Sequence, residues 1–303
     1  MLDIPALGIA DGQIIRIWPE TAPGSEGLTF AEEVIERSRE PEAMNDRAVV
    51  KVIVPTLTVY QPAQPNGAGL LIAPGGGYQR VVIDKEGAEL APWLGTLGIT
   101  AFVLRYRLPG DGHATGPDTP LQDVQRAIRL IRANAAAWGL DPERIGAMGF
   151  SAGGHVASSL AVKYGQPVYR PLDAVDETNA RPDFLILGYP VISMRREITH
   201  PGSCQRLLGE SPAPEQVDAY SNELLITGDT PATFLMHAGD DASVPVENSI
   251  RFYLGLKKAG VPAELHIFKE GGHGYSIRFA KGKTTENWAL LCGQWLRSIG
   301  AIR

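Results

Sequence analysis

The residues best equipped for chemistry are Gly149-Phe150-Ser151-Ala152-Gly153, a Gly-x-Ser-x-Gly run. It stands between an apolar strand candidate, Arg144 to Met148, and a helical stretch of small and apolar residues, Ser151 to Lys163. A serine on a tight strand-to-helix turn is forced into a strained backbone conformation, and its neighbours must be small for the chain to pass. That turn lifts the hydroxyl above the sheet. It also sets the next backbone N–H at a helix N-terminus, where partial positive charge favours an oxyanion. The chemistry this predicts is nucleophilic attack by Ser151 on an acyl carbon.

A serine hydroxyl is a poor nucleophile without a base, and the base needs an acid to orient it. Of the six histidines, only His266 and His273 lie in the last fifth of the chain, where the base belongs if the order is serine, acid, histidine. His266 is mid-strand in Glu264-Leu265-His266-Ile267-Phe268, a wall position. His273 follows that strand in Gly271-Gly272-His273-Gly274-Tyr275, and the flanking glycines let the backbone turn its ring towards the serine. His273 is the expected base. For the acid, the strand from Thr233 to Met236 runs into His237-Ala238-Gly239-Asp240-Asp241. Adjacent side chains cannot both face one imidazole. Asp241 is favoured because it stands three residues before the Val244-Pro245 that opens the next helix, which leaves Asp240 to hold the turn. His237 is expected to support this loop through backbone hydrogen bonds, and His155 to pack near the sheet.

Donors for the oxyanion are expected from Ala152 and from the loop after the first parallel strand. That loop reads Pro74-Gly75-Gly76-Gly77-Tyr78, and glycines let main-chain N–H groups approach a carbonyl with no Cβ in the way. Gly76 and Gly77 are the expected donors, with Tyr78 a candidate substrate contact. A phosphate cradle is excluded, because neither Gly-x-x-x-x-Gly-Lys-Ser/Thr nor Gly-x-Gly-x-x-Gly is present there.

These loops need a sheet to hold them. Short apolar runs alternate with helical patterns, the signature of an α/β fold with a mainly parallel sheet. Leu70 to Ala73, Ile99 to Leu104, Arg144 to Met148, Phe184 to Leu187, Phe234 to Met236 and Ala263 to Phe268 read as strands. Asp84 to Leu97, Leu121 to Trp138, Pro245 to Ala259 and Thr284 to Ser298 read as helices on the two faces. The opening differs: Ile14 to Trp18 and Val49 to Tyr60, the latter interrupted at Pro55, predict antiparallel N-terminal strands. Between them, Phe30 to Arg37 is expected as a short helix. One domain over residues 1–303 is expected. Within it, 191–231 has no strand signal and reads as a lid or pocket-wall insertion.

At 303 residues, 44% hydrophobic and 20% charged, the chain can bury a large core unaided. Its net charge of −6 argues against sequence-independent nucleic-acid binding, which needs a basic surface. No apolar run approaches the ~20 residues of a membrane span. Met1 to Asp11 lacks a basic head followed by an apolar stretch. The expectation is therefore a cytoplasmic chain, or an exported one if a leader has been removed. Cys204 and Cys292 match no metal-ligand spacing and read as two unrelated thiols.

Taken together, Pro74 to Tyr78, Gly149 to His155, His237 to Pro245 and Gly271 to Tyr275 resemble the α/β-hydrolase superfamily. The likeness spans about residues 50 to 300. It is nearest to the hormone-sensitive-lipase-like and bacterial carbohydrate esterases, including acetylxylan and feruloyl esterases. Relatives often write the oxyanion loop as His-Gly-Gly-Gly; here Pro74 replaces the histidine, a departure that points to the carbohydrate-esterase group. Ile17-Trp18-Pro19 and Ala22-Pro23-Gly24 look like that group too. The resemblance implies ester hydrolysis with no cofactor and no metal, on a small-molecule or oligosaccharide ester and often on acetyl groups of plant polysaccharide fragments. Two other readings stand beside it: a serine peptidase of the same fold, and a non-catalytic binding protein on a hydrolase scaffold.

Overall fold

The computed structural model of the chain describes residues 8–302; residue 303 and residues 1–7, which hold most of the stretch where a leader would begin, lie outside the described residues. Eight strands form one sheet in the order β1 (Ile14–Arg16), β4 (Thr56–Tyr60), β6 (Thr100–Arg105), β5 (Gly69–Ala73), β7 (Ile145–Phe150), β8 (Phe184–Gly188), β9 (Ala232–Ala238), β10 (Ala263–Phe268). β6 to β10 run parallel with β5 among them, while β1 and β4 pair antiparallel at one edge. β5, β7 and β8 are buried along their whole length, as strands covered on both faces must be. Side chains alternate between two cores. Leu71, Ala147 and Leu235 pack with α2 (Thr119–Ala133), α3 (Ala152–Lys163) and α6 (Glu247–Lys258). Leu70, Met148 and Phe234 pack with α1 (Ala91–Thr96) and α7 (Trp288–Ser298) on the opposite face.

The strand order places the site. From β5 the chain crosses outward to β6, then returns over β5 to β7 and continues outward the other way to β8. The loops leaving β5 and β7 therefore diverge, and a crevice opens at the carboxyl ends of these two strands, where ligands of open α/β sheets bind.

Three local expectations are corrected. Phe30 to Arg37 is not a helix: Glu33–Glu36 forms β2 and pairs antiparallel with β3 (Arg47–Val50) in a separate two-stranded sheet. β-branched Val34 and Ile35 favour the strand. The Glu36 carboxylate ties the hairpin by accepting N–H bonds from Arg37, Ser38 and Asp46 at 2.9, 2.7 and 2.9 Å. Consequently Val49 does not join the central sheet, although Val49 and Val81 form one antiparallel bridge. The helix expected over Asp84 to Leu97 shrinks to α1, preceded by a 3₁₀ turn at Ala88–Leu90. Pro92 near its start has no N–H to donate and would clash with the carbonyl four residues back. The segment 191–231 holds α4 (Pro201–Leu208), α5 (Pro214–Ala219) and a 3₁₀ turn at Asn222–Leu224.

The N-terminal edge is held by buried charge. Arg107, wholly buried, pairs with Asp123 (Nη2 to Oδ1, 2.8 Å) and also donates to Pro23 O, Ser25 Oγ and Gln122 Oε1. Asp123 further accepts from Trp18 Nε1 at 2.8 Å. Removing one partner strands an uncompensated buried charge. Arg107→Ala is expected to cost about 3–5 kcal/mol of stability, measured as a lowered midpoint in urea unfolding.

Candidate active site

Ser151 links β7 to α3 with φ +53° and ψ −123°, the strained conformation expected of a hydroxyl lifted off a sheet edge. Its neighbours are glycine for a steric reason. A Cβ at Gly149 would lie 2.2 Å from the Gly153 carbonyl oxygen, and one at Gly153 would lie 2.1 Å from that of Ala73. Ser151 Oγ is 2.8 Å from His273 Nε2, and His273 Nδ1 is 2.7 Å from Asp241 Oδ2. The structure thus brings together three side chains that leave the carboxyl ends of β7, β9 and β10.

Asp241 is anchored twice. Its Oδ1 accepts the N–H groups of Ser243 and Val244, each at 2.9 Å. Its Oδ2 faces His273 and also lies 3.2 Å from His237 Nε2. Burial opposes ionisation of this carboxyl, but the hydrogen bonds from His237 and His273 outweigh it and hold Asp241 well below the usual carboxylate range. An ionised acceptor at Nδ1 keeps the proton on that nitrogen and leaves Nε2 free to accept from Ser151. His237 is buried, with Nδ1 on Ser249 Oγ and Nε2 3.0 Å from Val244 O. Asp240 braces the opposite side of the site. Its Oδ1 accepts from Gly271 and Gly272 N–H at 2.9 and 2.8 Å, fixing the loop that carries His273.

In the loop after β5, Gly75 N–H is committed to Glu86 Oε2 at 2.8 Å. Gly76 (φ +135°) and Gly77 (φ +64°) line the cavity at Ser151, and a Cβ on Gly76 would strike Arg80 O at 2.1 Å. Ala152 is fully buried as the first residue of α3, so its N–H has no acceptor within the helix. Sequence reasoning misses Glu86, because a continuous helix from Asp84 presents it as one more surface carboxylate. It is 3% exposed and joins both loops. Beyond Gly75 it accepts from Tyr189 Oη at 2.9 Å, while Tyr189 Oη accepts from Ser276 N–H and its ring edge meets His273.

Tyr78 does not take the place suggested for it. Its side chain is buried, its hydroxyl is 2.7 Å from His155 Nδ1, and it is absent from the cavity wall. His155 Nε2 lies 2.8 Å from Tyr220 O, so the ring donates there and accepts from Tyr78. Burial pushes His155 down to about 4, so it is neutral at pH 7. Tyr220 reaches Asp118 with its hydroxyl, and Leu207 and Leu208 lie in the core. His266 stays on β10, bonded to Glu264.

The cavity at Ser151 measures about 260 Å³ and is mostly polar, with Gly76, Gly77 and His273 in its wall. His200 and Arg206 border it from α4 and the residue before it. His200 Nδ1 accepts Ser203 N–H at 3.2 Å; burial and the nearby His273 lower its affinity for a proton, so the neutral ring carries its hydrogen on Nε2. A larger cavity of about 1220 Å³, between Met194 and Arg251, contains none of the triad. Among the described residues, no three His, Cys, Asp or Glu side chains stand where they could hold a metal, and both cysteines are free. No helix there is long and apolar enough to cross a membrane.

The BD-FAE family model matches residues 93–256, more than half of the chain. The chain belongs to the BD-FAE family. The matched stretch takes in Ser151 and Asp241; Gly76, Gly77 and His273 lie outside it. An acetylxylan esterase of Xylanibacter ruminicola is 34% identical over 249 residues, 81% of this chain and 48% of that protein. Endo-1,4-beta-xylanase B of Butyrivibrio fibrisolvens is 36% identical over 208 residues, 69% of this chain and 32% of that protein. The chain thus spans about half or less of these curated relatives. A solved structure of an acetyl ester-xyloside bifunctional hydrolase from Caldicellulosiruptor lactoaceticus superposes with a TM-score of 0.80 at 36% identity, covering 99% of this chain and 100% of that one.

Proposed function

We propose that this BD-FAE protein is a serine esterase that removes short acyl groups, acetyl foremost, from a carbohydrate. One observation carries the reading: Ser151, His273 and Asp241 form a continuous hydrogen-bonded chain at 2.8 and 2.7 Å beside a small polar cavity. Ser151 Oγ attacks the ester carbonyl as His273 Nε2 takes its proton, and Asp241 stabilises the resulting imidazolium. The N–H groups of Gly76, Gly77 and Ala152 receive the oxyanion. His273 then returns the proton to the departing alcohol, and water, deprotonated by the same ring, releases the acid from the acyl-enzyme.

The polar wall and the limited volume favour a short acyl group on a hydroxylated alcohol over a lipid chain. The names of the xylan-acting relatives agree with a sugar ester. Across p-nitrophenyl esters, kcat/KM is expected to be at least about tenfold higher for acetate than for octanoate, the scale at which a pocket discriminates added methylenes. Acetate should also be released from acetylated xylan, and a fluorophosphonate should label Ser151. A protein that cleaves aminoacyl-p-nitroanilides but no acyl ester would be a peptidase, and failure of the folded protein to be labelled would favour a binding role.

A further inference from the structure

The rim of this cavity carries a charge pattern at odds with the rest of the molecule. The chain has a net charge of −6, yet Arg37, Arg80, Lys85 and Arg206 all border the cavity, against one carboxylate, Glu86. Both Glu86 oxygens are already occupied, one by Gly75 N–H and the other by the Tyr189 hydroxyl. Three of the four cations have no carboxylate partner among the described residues. Arg80 donates to Gln79 Oε1 at 2.7 Å, and Arg206 donates to the Gly202 carbonyl at 3.0 Å. Lys85 lies 5.8 Å from the Phe279 ring centroid, and its Nζ would lie 2.9 Å from a Cβ placed on Gly274, next to His273. Arg37 faces Asp46 at 3.4 Å through Nη2, but its Nη1 is buried with no partner at all.

These cations come from separate parts of the chain: Arg37 from just after β2, Arg80 and Lys85 from the segment after the glycine loop, Arg206 from α4. They crowd one another. Burial and the charges of Arg37 and Arg206 together lower the proton affinity of Arg80. Like charges gathered with so little compensation raise the energy of the empty site, and an anion entering it relieves that cost. Guanidinium forks pair bidentately with a planar carboxylate.

We infer that the cavity mouth is a carboxylate-binding subsite, and that the acetylated carbohydrate hydrolysed at Ser151 carries a hexuronic acid unit. The inference rests on the esterase reading above. Acetyl carries no charge, so on that reading the anion belongs to the alcohol half of the ester. The carboxylate is held at the rim by Arg80, Arg206, Arg37 and Lys85. His200 Nε2–H adds a neutral donor for a hydroxyl.

The test measures acetate release by the full chain from two acetylated xylo-oligosaccharide preparations matched in length and acetylation. One is neutral and one bears a hexuronic acid unit. At about 0.01 M ionic strength, kcat/KM is expected to be at least about tenfold higher on the acidic substrate, with the difference in KM. Most of that ratio should vanish at about 1 M salt, where charges are screened over about 3 Å. In an Arg80→Gln, Arg206→Gln double variant the ratio should fall towards one; should that variant not fold, the salt titration of the unaltered protein decides the matter. Equal kcat/KM on the two substrates at low salt, or a preference for the neutral one, overturns the subsite while leaving the esterase reading intact. Stronger competition by a sulfated neutral oligosaccharide than by free hexuronic acid overturns the carboxylate assignment. No acetate from either substrate and no hydrolysis of p-nitrophenyl acetate overturns the esterase reading, and the subsite with it.

Discussion

Ser151→Ala is expected to lower kcat on p-nitrophenyl acetate by about 10⁴-fold or more, since removing the nucleophile leaves only binding and oxyanion stabilisation. The substitution deletes one oxygen whose hydrogen-bond partner is His273 Nε2, and alters little else. The backbone there stays at φ +53° in either residue, so the strain of the turn persists. The backbone anchors persist too: Ser151 N–H donates to the Gly188 carbonyl at 3.1 Å and its own carbonyl accepts from Val191 at 2.9 Å. The thermal midpoint should therefore move by no more than about 0.5 kcal/mol in equivalent stability, the usual range for a change that breaks no packing. Steady-state kinetics with a thermal melt of the same preparation checks both halves. Near wild-type turnover by the folded variant would end the triad assignment.

Asp241→Asn should cost nearly as much, about 10⁴-fold in kcat, through the tautomer of His273 rather than through lost packing. Oδ1 of Asp241 accepts two backbone N–H groups, so in the variant the amide oxygen is held at that position. The NH₂ group is then directed at His273 Nδ1 and His237 Nε2. Nδ1 must become an acceptor, the ring proton moves to Nε2, and Ser151 loses its base. The deficit should shrink at alkaline pH, where hydroxide can replace the missing base, which a mere packing defect would not do. A stability effect accompanies it. The depressed carboxyl of Asp241 stabilises the fold above the unfolded carboxylate pKa of about 3.9 and ceases to do so as pH falls through its lower native value. Thermal midpoints followed through the acid range should show that dependence weakened in Asp241→Asn.

Much of this site is legible in the order of the chain, and the reasons are local. A Gly-x-Ser-x-Gly turn needs small neighbours whatever surrounds it, as the 2.1 and 2.2 Å approaches at Gly153 and Gly149 show. The glycines around His273 and the paired aspartates each follow an apolar strand, so they had to emerge at one edge of a parallel sheet. What stays hidden is settled by neighbours distant in sequence. Tyr78 stands beside the oxyanion glycines, yet its side chain turns inward to His155, and no short-range rule states which way a residue at φ +57° will point. Glu33 to Glu36 carries both helical and strand character until pairing with Arg47–Val50 decides it.

The sequence by itself determined the α/β alternation, the strained turn at Ser151, and the order of serine, acid and histidine. These follow from periodicity, glycine sterics and the direction of parallel strands, all of which act over a few residues. Only the tertiary structure decided that Tyr78 turns inward to His155 and away from the cavity. It alone decided that Glu86 is a buried brace beneath two loops, and that cations from separate segments meet at one rim. Burial and electrostatic coupling depend on distance in space, and the chain brings those groups together only once the sheet has set its edges.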